Sequence, residues 1–256
     1  MPKKKTKEKL RFKKLLRIFI PFFVIGIYLW TSYVYIYYKI GSTALPATDT
    51  TYSFDINPSQ SENNLIYAAL GDSLTAGVGV VTYSQSYPYV LAEKIATRYD
   101  NVTFKDFSYP GAKTSNIIDD LLTPAIASQP DVVTILIGIN DIHGRVSPET
   151  FNDNYRYILE RLQNETTAKI YLISIPFLGS NSLLLPPFNY YFHFRVDQYN
   201  KIIKSLAHAY NLNYIDITSP TAQISKLNSY YAADLFHPNA KIYKLWANIM
   251  YDNLGQ

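Results

Sequence analysis

Ser73, Asp234 and His237 are the residue types from which a nucleophile, its base and the base's orienting acid are built. Ser73 lies in Gly71-Asp72-Ser73-Leu74, directly after the apolar run Leu65-Ile66-Tyr67-Ala68-Ala69-Leu70, so its hydroxyl falls where a buried strand should end in a sharp turn. A serine hydroxyl is a poor nucleophile unless a neighbouring base takes its proton. Asp234-Leu235-Phe236-His237 can supply that base. An acid three positions before an imidazole can meet Nδ1 across a turn, which fixes the tautomer and leaves Nε2 free for the serine proton. The chemistry so served is acyl transfer, which also needs hydrogen-bond donors about 3 Å from the developing oxyanion. Three candidates exist: the Ser73 N–H, the Gly111 N–H in Tyr109-Pro110-Gly111-Ala112, and the Asn140 side-chain amide in Gly138-Ile139-Asn140-Asp141. Each piece also has a plain structural reading, as a chance tripeptide, a Pro-Gly turn, a helix start or a loop histidine. Their convergence carries the argument.

The other histidines fit less well. His208 falls inside a helical pattern, and neither His143 nor His193 has an acid three positions upstream. His143 follows Asn140 closely enough to border a pocket, but its setting reads as a surface loop. His143, His193 and His237 share no paired metal-ligand spacing, so no metal site is expected. The scheme requires no cofactor.

The elements that must position these residues alternate in type. Strands are expected at Leu65 to Leu70, Val102 to Ser108, Val132 to Ile137, Lys169 to Ile175 and Asn213 to Ile217. Helices are expected at Ser86 to Tyr99, Thr114 to Leu122, Ser147 to Gln163, Val196 to Tyr210 and Asn239 to Asn253. Such alternation implies a parallel sheet with helices on both faces, and the unbroken apolar run Val132 to Ile137 fits a strand buried on both sides. In strand order 2-1-3-4-5 the first strand lies between the second and third, so Gly111 and Asn140 would flank Ser73 by about one strand spacing, near 4.8 Å.

Taken together, Gly71-Asp72-Ser73-Leu74, Gly111, Gly138-Ile139-Asn140-Asp141 and Asp234-Leu235-Phe236-His237 resemble the four signature segments of the GDSL-type, or SGNH, hydrolases, in the family's order. The resemblance covers nearly all of residues 65 to 253 and is nearest to the bacterial lipase and acylhydrolase branch. It implies an α/β, three-layer flavodoxin-like fold on a five-stranded parallel sheet. It also implies Ser73 as nucleophile and donor, Gly111 and Asn140 as further oxyanion donors, and Asp234 and His237 as the rest of a triad.

Charge and hydropathy divide the chain. Residues 1 to 40 carry ten Lys/Arg against Glu8 alone, a net of +9, whereas the chain as a whole is +4, which leaves −5 for the remainder. Ile18 to Tyr38 is a run of 21 residues without a charge; as a helix it would span about 31 Å, the thickness of a bilayer's hydrocarbon core. Pro21 would sit in its first turn, where a missing amide donor costs little. Trp30, Tyr33, Tyr35, Tyr37 and Tyr38 crowd its far end as an interfacial belt would. The positive-inside rule places the N-terminus in the cytoplasm and the remainder outside. The expected organisation is a basic segment at 1–17, a single-pass membrane anchor at 18–38, a linker at 39–64 and a hydrolase domain at 65–256. A cleaved signal peptide is the competing reading, with Ser42-Thr43-Ala44 as its cleavage site; its apolar region would normally be about 7 to 15 residues. There is no cysteine, which removes disulfides, thiolate metal sites and a cysteine nucleophile. Nucleic-acid binding is disfavoured because the basic cluster belongs to the anchor and the rest is net negative.

The expected function is therefore a membrane-anchored extracytoplasmic serine esterase. Its ester substrate would be either lipid acyl esters or O-acetyl groups of surface glycans. The stretch Phe177 to Phe194, with Leu183-Leu184-Leu185 and Tyr190-Tyr191-Phe192, could bind an acyl chain, stack on a sugar, dip into a membrane interface or fold onto its own core. The alternative from another class is a non-catalytic module that uses the same fold to bind envelope glycans.

Overall fold

The computed structural model describes residues 2–41, 51–56 and 64–254. Its centre is a six-stranded sheet in the order β1-β3-β2-β4-β5-β6. The strands are β1 (Thr51–Ile56), β2 (Asn64–Gly71), β3 (Asn101–Ser108), β4 (Val132–Leu136), β5 (Lys169–Ile173) and β6 (Asn213–Ile215). β2 to β6 are parallel and in the expected order. β1 is an addition: it runs antiparallel along β3, from Thr51 opposite Phe107 to Ile56 opposite Val102. It comes from the segment read as a linker, where Thr, Tyr, Phe and Ile alternate with polar residues and suit an edge strand. The rest of that segment, including Ser42-Thr43-Ala44, lies outside the described residues.

α2 (Tyr87–Ile95) and α9 (Ala240–Asn253) pair on one face of the sheet. The other face carries α6 (Pro148–Glu165), α7 (Phe188–Ala209) and a broken helix: α3 (Thr114–Asn116), a π-helical stretch Ile117–Leu121, then α4 (Leu122–Ala127). α6 begins as its sequence indicates, with the Ser147 hydroxyl accepting from the Thr150 N–H at 3.1 Å and Pro148 at its first position. α7 starts eight residues before the expected Val196, so the aromatic run from Phe188 onward is helical. α5 (Ile139–His143) and α8 (Thr218–Thr221) are short helices at strand ends that no periodicity announces.

β2 is the hinge of the design. Its last residue, Gly71, is level with Ser108 of β3 and Leu136 of β4, so three carboxyl ends stop together. A Cβ on Gly71 would lie 1.9 Å from Thr75 Oγ1 and 2.7 Å from the Leu136 carbonyl oxygen, so only glycine admits the turn that follows. That turn is held from outside the sheet. Thr75 Oγ1 and the Tyr87 hydroxyl are hydrogen-bonded at 2.8 Å, and the Tyr243 hydroxyl donates to the Val78 carbonyl at 2.7 Å. Trp246 fills the space between those two tyrosines, its ring 6.4 Å from Tyr87 and 5.5 Å from Tyr243.

Two carboxyls are buried in this region. Asp72 accepts from the Leu74 N–H at 2.9 Å, and Asp106 accepts from the Tyr83 hydroxyl at 2.5 Å and the Ser108 hydroxyl at 2.6 Å. Burial dominates and raises both, each to about 7; the charge of Asp141 adds to the effect at Asp72.

α1 (Pro2–Gly41) is one continuous helix, and Phe12–Gly41 is long and apolar enough to cross a membrane. Because it starts well before Ile18, Pro21 is an interior residue rather than a first-turn one, and the Arg17 carbonyl loses its helical donor. The helix does not stand apart from the domain. Ser32 and Ile36 are buried, the Tyr28 hydroxyl donates to the Pro186 carbonyl at 2.6 Å, and Lys39 Nζ donates to the Ala233 carbonyl at 3.2 Å.

Two stability predictions result. Gly71→Ala should destabilise by about 3 kcal/mol, because a fixed carbonyl blocks the new methyl; its urea midpoint should fall well below wild type, and an unchanged midpoint would contradict the close approach. For Asp72 the sign follows from proton uptake. An unfolded aspartate ionises near pH 4, whereas the folded carboxyl keeps its proton to about 7. Its contribution to stability is thus full below about pH 4 and is lost as pH rises through 7. Between pH 5 and 8 wild type should lose about 2 to 3 kcal/mol through this carboxyl, with Asp106 adding a loss of the same sign. Thermal melts of Asp72→Asn should show a visibly shallower decline over that range.

Candidate active site

Ser73 follows β2 by two residues and is buried, as are His237 and Asp234. The Ser73 Oγ lies 3.1 Å from His237 Nε2, and His237 Nδ1 lies 2.5 Å from Asp234 Oδ2. The sequence-predicted serine, histidine and aspartate therefore meet in one hydrogen-bonded line across 164 residues of chain. The local turn explains the acid's placement. Asp234 Oδ1 accepts from the backbone N–H groups of both Phe236 and His237, each at 2.9 Å, which leaves Oδ2 for the imidazole. Leu235 takes the left-handed conformation, φ +62°, to close the turn, a strained choice for a branched residue. The segment is tied down by Ala232 N–H to the His237 carbonyl at 2.9 Å and by Ser180 N–H to the Leu235 carbonyl at 2.9 Å.

Gly111 and Asn140 flank Ser73 as the strand order requires, three residues beyond the end of β3 and four beyond the end of β4. They are joined to each other. Asn140 Nδ2 donates to the Ala112 carbonyl at 3.0 Å, which fixes the amide and leaves its second N–H uncommitted. Below this contact the Asp141 carboxylate accepts from the Thr114 N–H at 3.0 Å and the Thr114 hydroxyl at 2.6 Å, locking α5 to the start of α3. Among the described residues neither the Ser73 N–H nor the Gly111 N–H meets an acceptor. Three donors without a full complement of partners thus lie on the three neighbouring loops at the carboxyl ends of β2, β3 and β4.

Two features escape a reading of the sequence. Gly79 runs so close beneath the histidine turn that a Cβ there would lie 2.3 Å from the Pro238 carbonyl and 3.1 Å from His237 Cβ; its φ of +100° also calls for glycine. Its place in Gly77-Val78-Gly79, six residues after Ser73, was the available signal. His143 is not a surface-loop residue. It ends α5, one turn from Asn140, and its ring packs 5.0 Å from Phe192 and 5.4 Å from Phe236, whose own ring is 5.1 Å from His237. Burial, and secondarily the nearby His237, push His143 down to about 4, so it stays neutral beside the site through ordinary pH. His193 lies on α7 against Phe177, at 4.4 Å, and does not join the serine line.

Both the sequence and the fold have known relatives. The chain is 32% identical over 120 residues to Lipase 2 of Streptomyces coelicolor, a match spanning 40% of this chain and 38% of that protein, so this chain aligns with well under half of its relative's length. In fold it is similar to the lipase/acylhydrolase of Enterococcus faecalis, with a TM-score of 0.62, 22% identity and coverage of 73% of this chain and 94% of that one. Axe2, an acetylxylan esterase of Geobacillus stearothermophilus, has a TM-score of 0.59 at 18% identity, covering 77% of this chain and 95% of its own. Residues 69–245 match the GDSL-like Lipase/Acylhydrolase family, a stretch that takes in the end of β2, the loops that carry Gly111 and Asn140 and the histidine turn, and the chain belongs to that family.

Proposed function

We propose that the protein is a membrane-anchored serine hydrolase of carboxylic esters, with Ser73, His237 and Asp234 as its triad and the Ser73 N–H, Gly111 N–H and Asn140 amide as its oxyanion donors. The observation that carries this reading is the unbroken line from Ser73 Oγ through His237 to Asp234, at 3.1 Å and 2.5 Å. As Ser73 Oγ attacks the ester carbonyl, its proton passes to His237 Nε2 and the carbonyl oxygen takes the electron pair between the three donors. The imidazolium so formed is stabilised by Asp234 and gives its proton to the departing alcohol as the C–O bond breaks, leaving an acyl-serine. Water then loses a proton to the same nitrogen, attacks the acyl carbonyl and releases the acid, restoring Ser73. The residues present suffice for each proton transfer.

Anchoring rests on α1. Its apolar face, with Phe19, Phe22 and Phe23 each more than 60% exposed, has no protein partner among the described residues, and a bilayer would cover it. Since Ser32 and Ile36 are taken up by contact with the domain, the bilayer segment lies nearer the N-terminus than 18–38. A span from Phe12 to Thr31 would be about 30 Å long, with Lys13, Lys14 and Arg17 snorkelling to the cytoplasmic surface. The domain then stands outside the cell against the membrane face. Both lipid acyl esters and O-acetylated glycans suit the chemistry, and similar proteins bear names of both kinds.

Ser73→Ala should abolish ester hydrolysis measured with p-nitrophenyl esters; retained turnover would sink the assignment. Asn140→Ala should lose about 100- to 1000-fold in kcat while its thermal midpoint stays close to wild type, since only the bond to the Ala112 carbonyl is lost.

A further inference from the structure

Among the described residues a sizeable cavity lies away from Ser73, on the side of the site that carries His143. It has a volume of about 650 Å³ and lies between the last turns of α1 and the start of α7, with His143 at its inner side. One wall is Leu29, Tyr33, Ile36 and Ile40 of α1; the opposite wall is built from Phe188, Tyr191 and Phe192. Arg145 is the one charged residue among those described that line it. The volume falls within the range of about 300 to 1000 Å³ found for ligand pockets. The lining is mainly aliphatic and aromatic, with Arg145, His143 and three tyrosines as its polar groups, which suits hydrocarbon better than a hydroxyl-rich sugar.

We infer that this cavity is an acyl-chain site, in which the hydrocarbon tail of a membrane-borne ester lies between α1 and α7 while its carbonyl sits at Ser73. The inference rests on the proposed hydrolysis at Ser73 and narrows its substrate to long-chain amphiphiles. Three observations identify the occupant. First, the cavity wall is the anchor helix itself, whose N-terminal continuation presents bare Phe19, Phe22 and Phe23, so hydrocarbon in the cavity is contiguous with hydrocarbon around the helix. Second, the cavity is linked to the reacting groups through His143, which lines it. His143 meets Phe236, Phe236 meets His237, and His143 shares a short helix with Asn140, at the i, i+3 spacing that places both on one side. Third, His143 is neutral through ordinary pH, so among the described residues Arg145 is the one charge at the cavity, which leaves the rest of the lining suited to an alkyl chain. Tyr28 and Lys39, bonded to Pro186 and Ala233, clamp α1 to the domain at either end of the cavity. Tyr190 and Phe194, 68% and 65% exposed on α7, extend the apolar surface outward in the way an interfacial element would.

An acetyl group is too short to reach past His143, whereas a long chain fills the cavity, and each buried methylene adds a few-fold in affinity. The test uses the full-length protein in phosphatidylcholine vesicles and compares labelling of Ser73 by ethyl and dodecyl fluorophosphonates, reading the ratio of the two rate constants. Gly41→Trp is the principal variant: Gly41 lines the cavity, and a Cβ there meets nothing within 4 Å. Leu29→Trp fills the cavity from its other end, and Tyr38→Trp alters α1 outside it. The dodecyl-to-ethyl ratio should exceed about tenfold in wild type and in Tyr38→Trp, and should drop at least about tenfold in both cavity variants. A ratio that stays within about twofold of wild type in both cavity variants, or that falls equally in Tyr38→Trp, overturns the site. Absence of labelling by either probe in wild type instead overturns the reading of Ser73 on which the site depends.

Discussion

Everything at the carboxyl edge of the sheet depends on the register that sets Gly71 level with both Ser108 and Leu136. Parallel strands that stop together leave a shelf of loop ends about one strand spacing apart, and three such ends carry Ser73, Gly111 and Asn140. A slip of one residue in β2 would reverse which face each of its side chains meets. It would take Tyr67 from its hydrogen bond with Thr134, at 2.8 Å, and from its stack on Phe104, at 5.1 Å. The buried aromatic side of β2 therefore fixes the register, and the register in turn fixes the site. Gly71 is where the two requirements meet, since the strand must end against Thr75 and the Leu136 carbonyl with no side chain between them.

The polar groups that make the site are held in place by bonds to their surroundings. Asp234 uses one oxygen on two backbone donors and the other on His237. Asn140 has one amide hydrogen on the Ala112 carbonyl, and Asp141 is consumed by Thr114. Burying such groups costs several kcal/mol each unless they are paired, so the pairing is a condition of folding as well as of chemistry. Asp72 is the exception: its second oxygen has no partner, and burial answers by raising its proton affinity. While it holds its proton, below about pH 7, this carboxyl adds no negative charge next to the nucleophile.

How much of this could be read beforehand follows from which signals are local. The strand order, the serine turn and the Asp-x-x-His turn each have a short-range signature, in apolar runs bounded by turn residues and in the spacing of acid and imidazole, and the structure brings those residues together as expected. The antiparallel edge strand Thr51–Ile56 was not legible because its stability comes from pairing with β3, which no local pattern reports. His143 was misplaced for a similar reason: α5 is too short to show periodicity, and its burial is supplied by Phe192 and Phe236, 49 and 93 residues further along the chain. The early start of α7 at Phe188 hid behind a run of aromatics that, alone, suits a loop or a strand as well as a helix.

The packing of α1 sets how that helix and the rest of this enzyme are oriented. A flexible tether would let the domain turn freely about α1. Here Ser32 and Ile36 are buried against the domain, two hydrogen bonds reach from the helix to Pro186 and Ala233, and β1, ten residues beyond Gly41, pins the chain to the sheet edge. Ten residues extend at most about 35 Å, so even with those bonds open the helix could not travel far. The helix axis therefore fixes the orientation of the sheet, and with it the direction from which Ser73 is approached. One wall of the cavity is α1 itself, so whatever holds that helix in place also shapes the space on the His143 side of the site. The same four side chains, Leu29, Tyr33, Ile36 and Ile40, thus serve both to pack α1 beside the domain and to line the cavity, which gives a physical reason for them to be bulky and apolar.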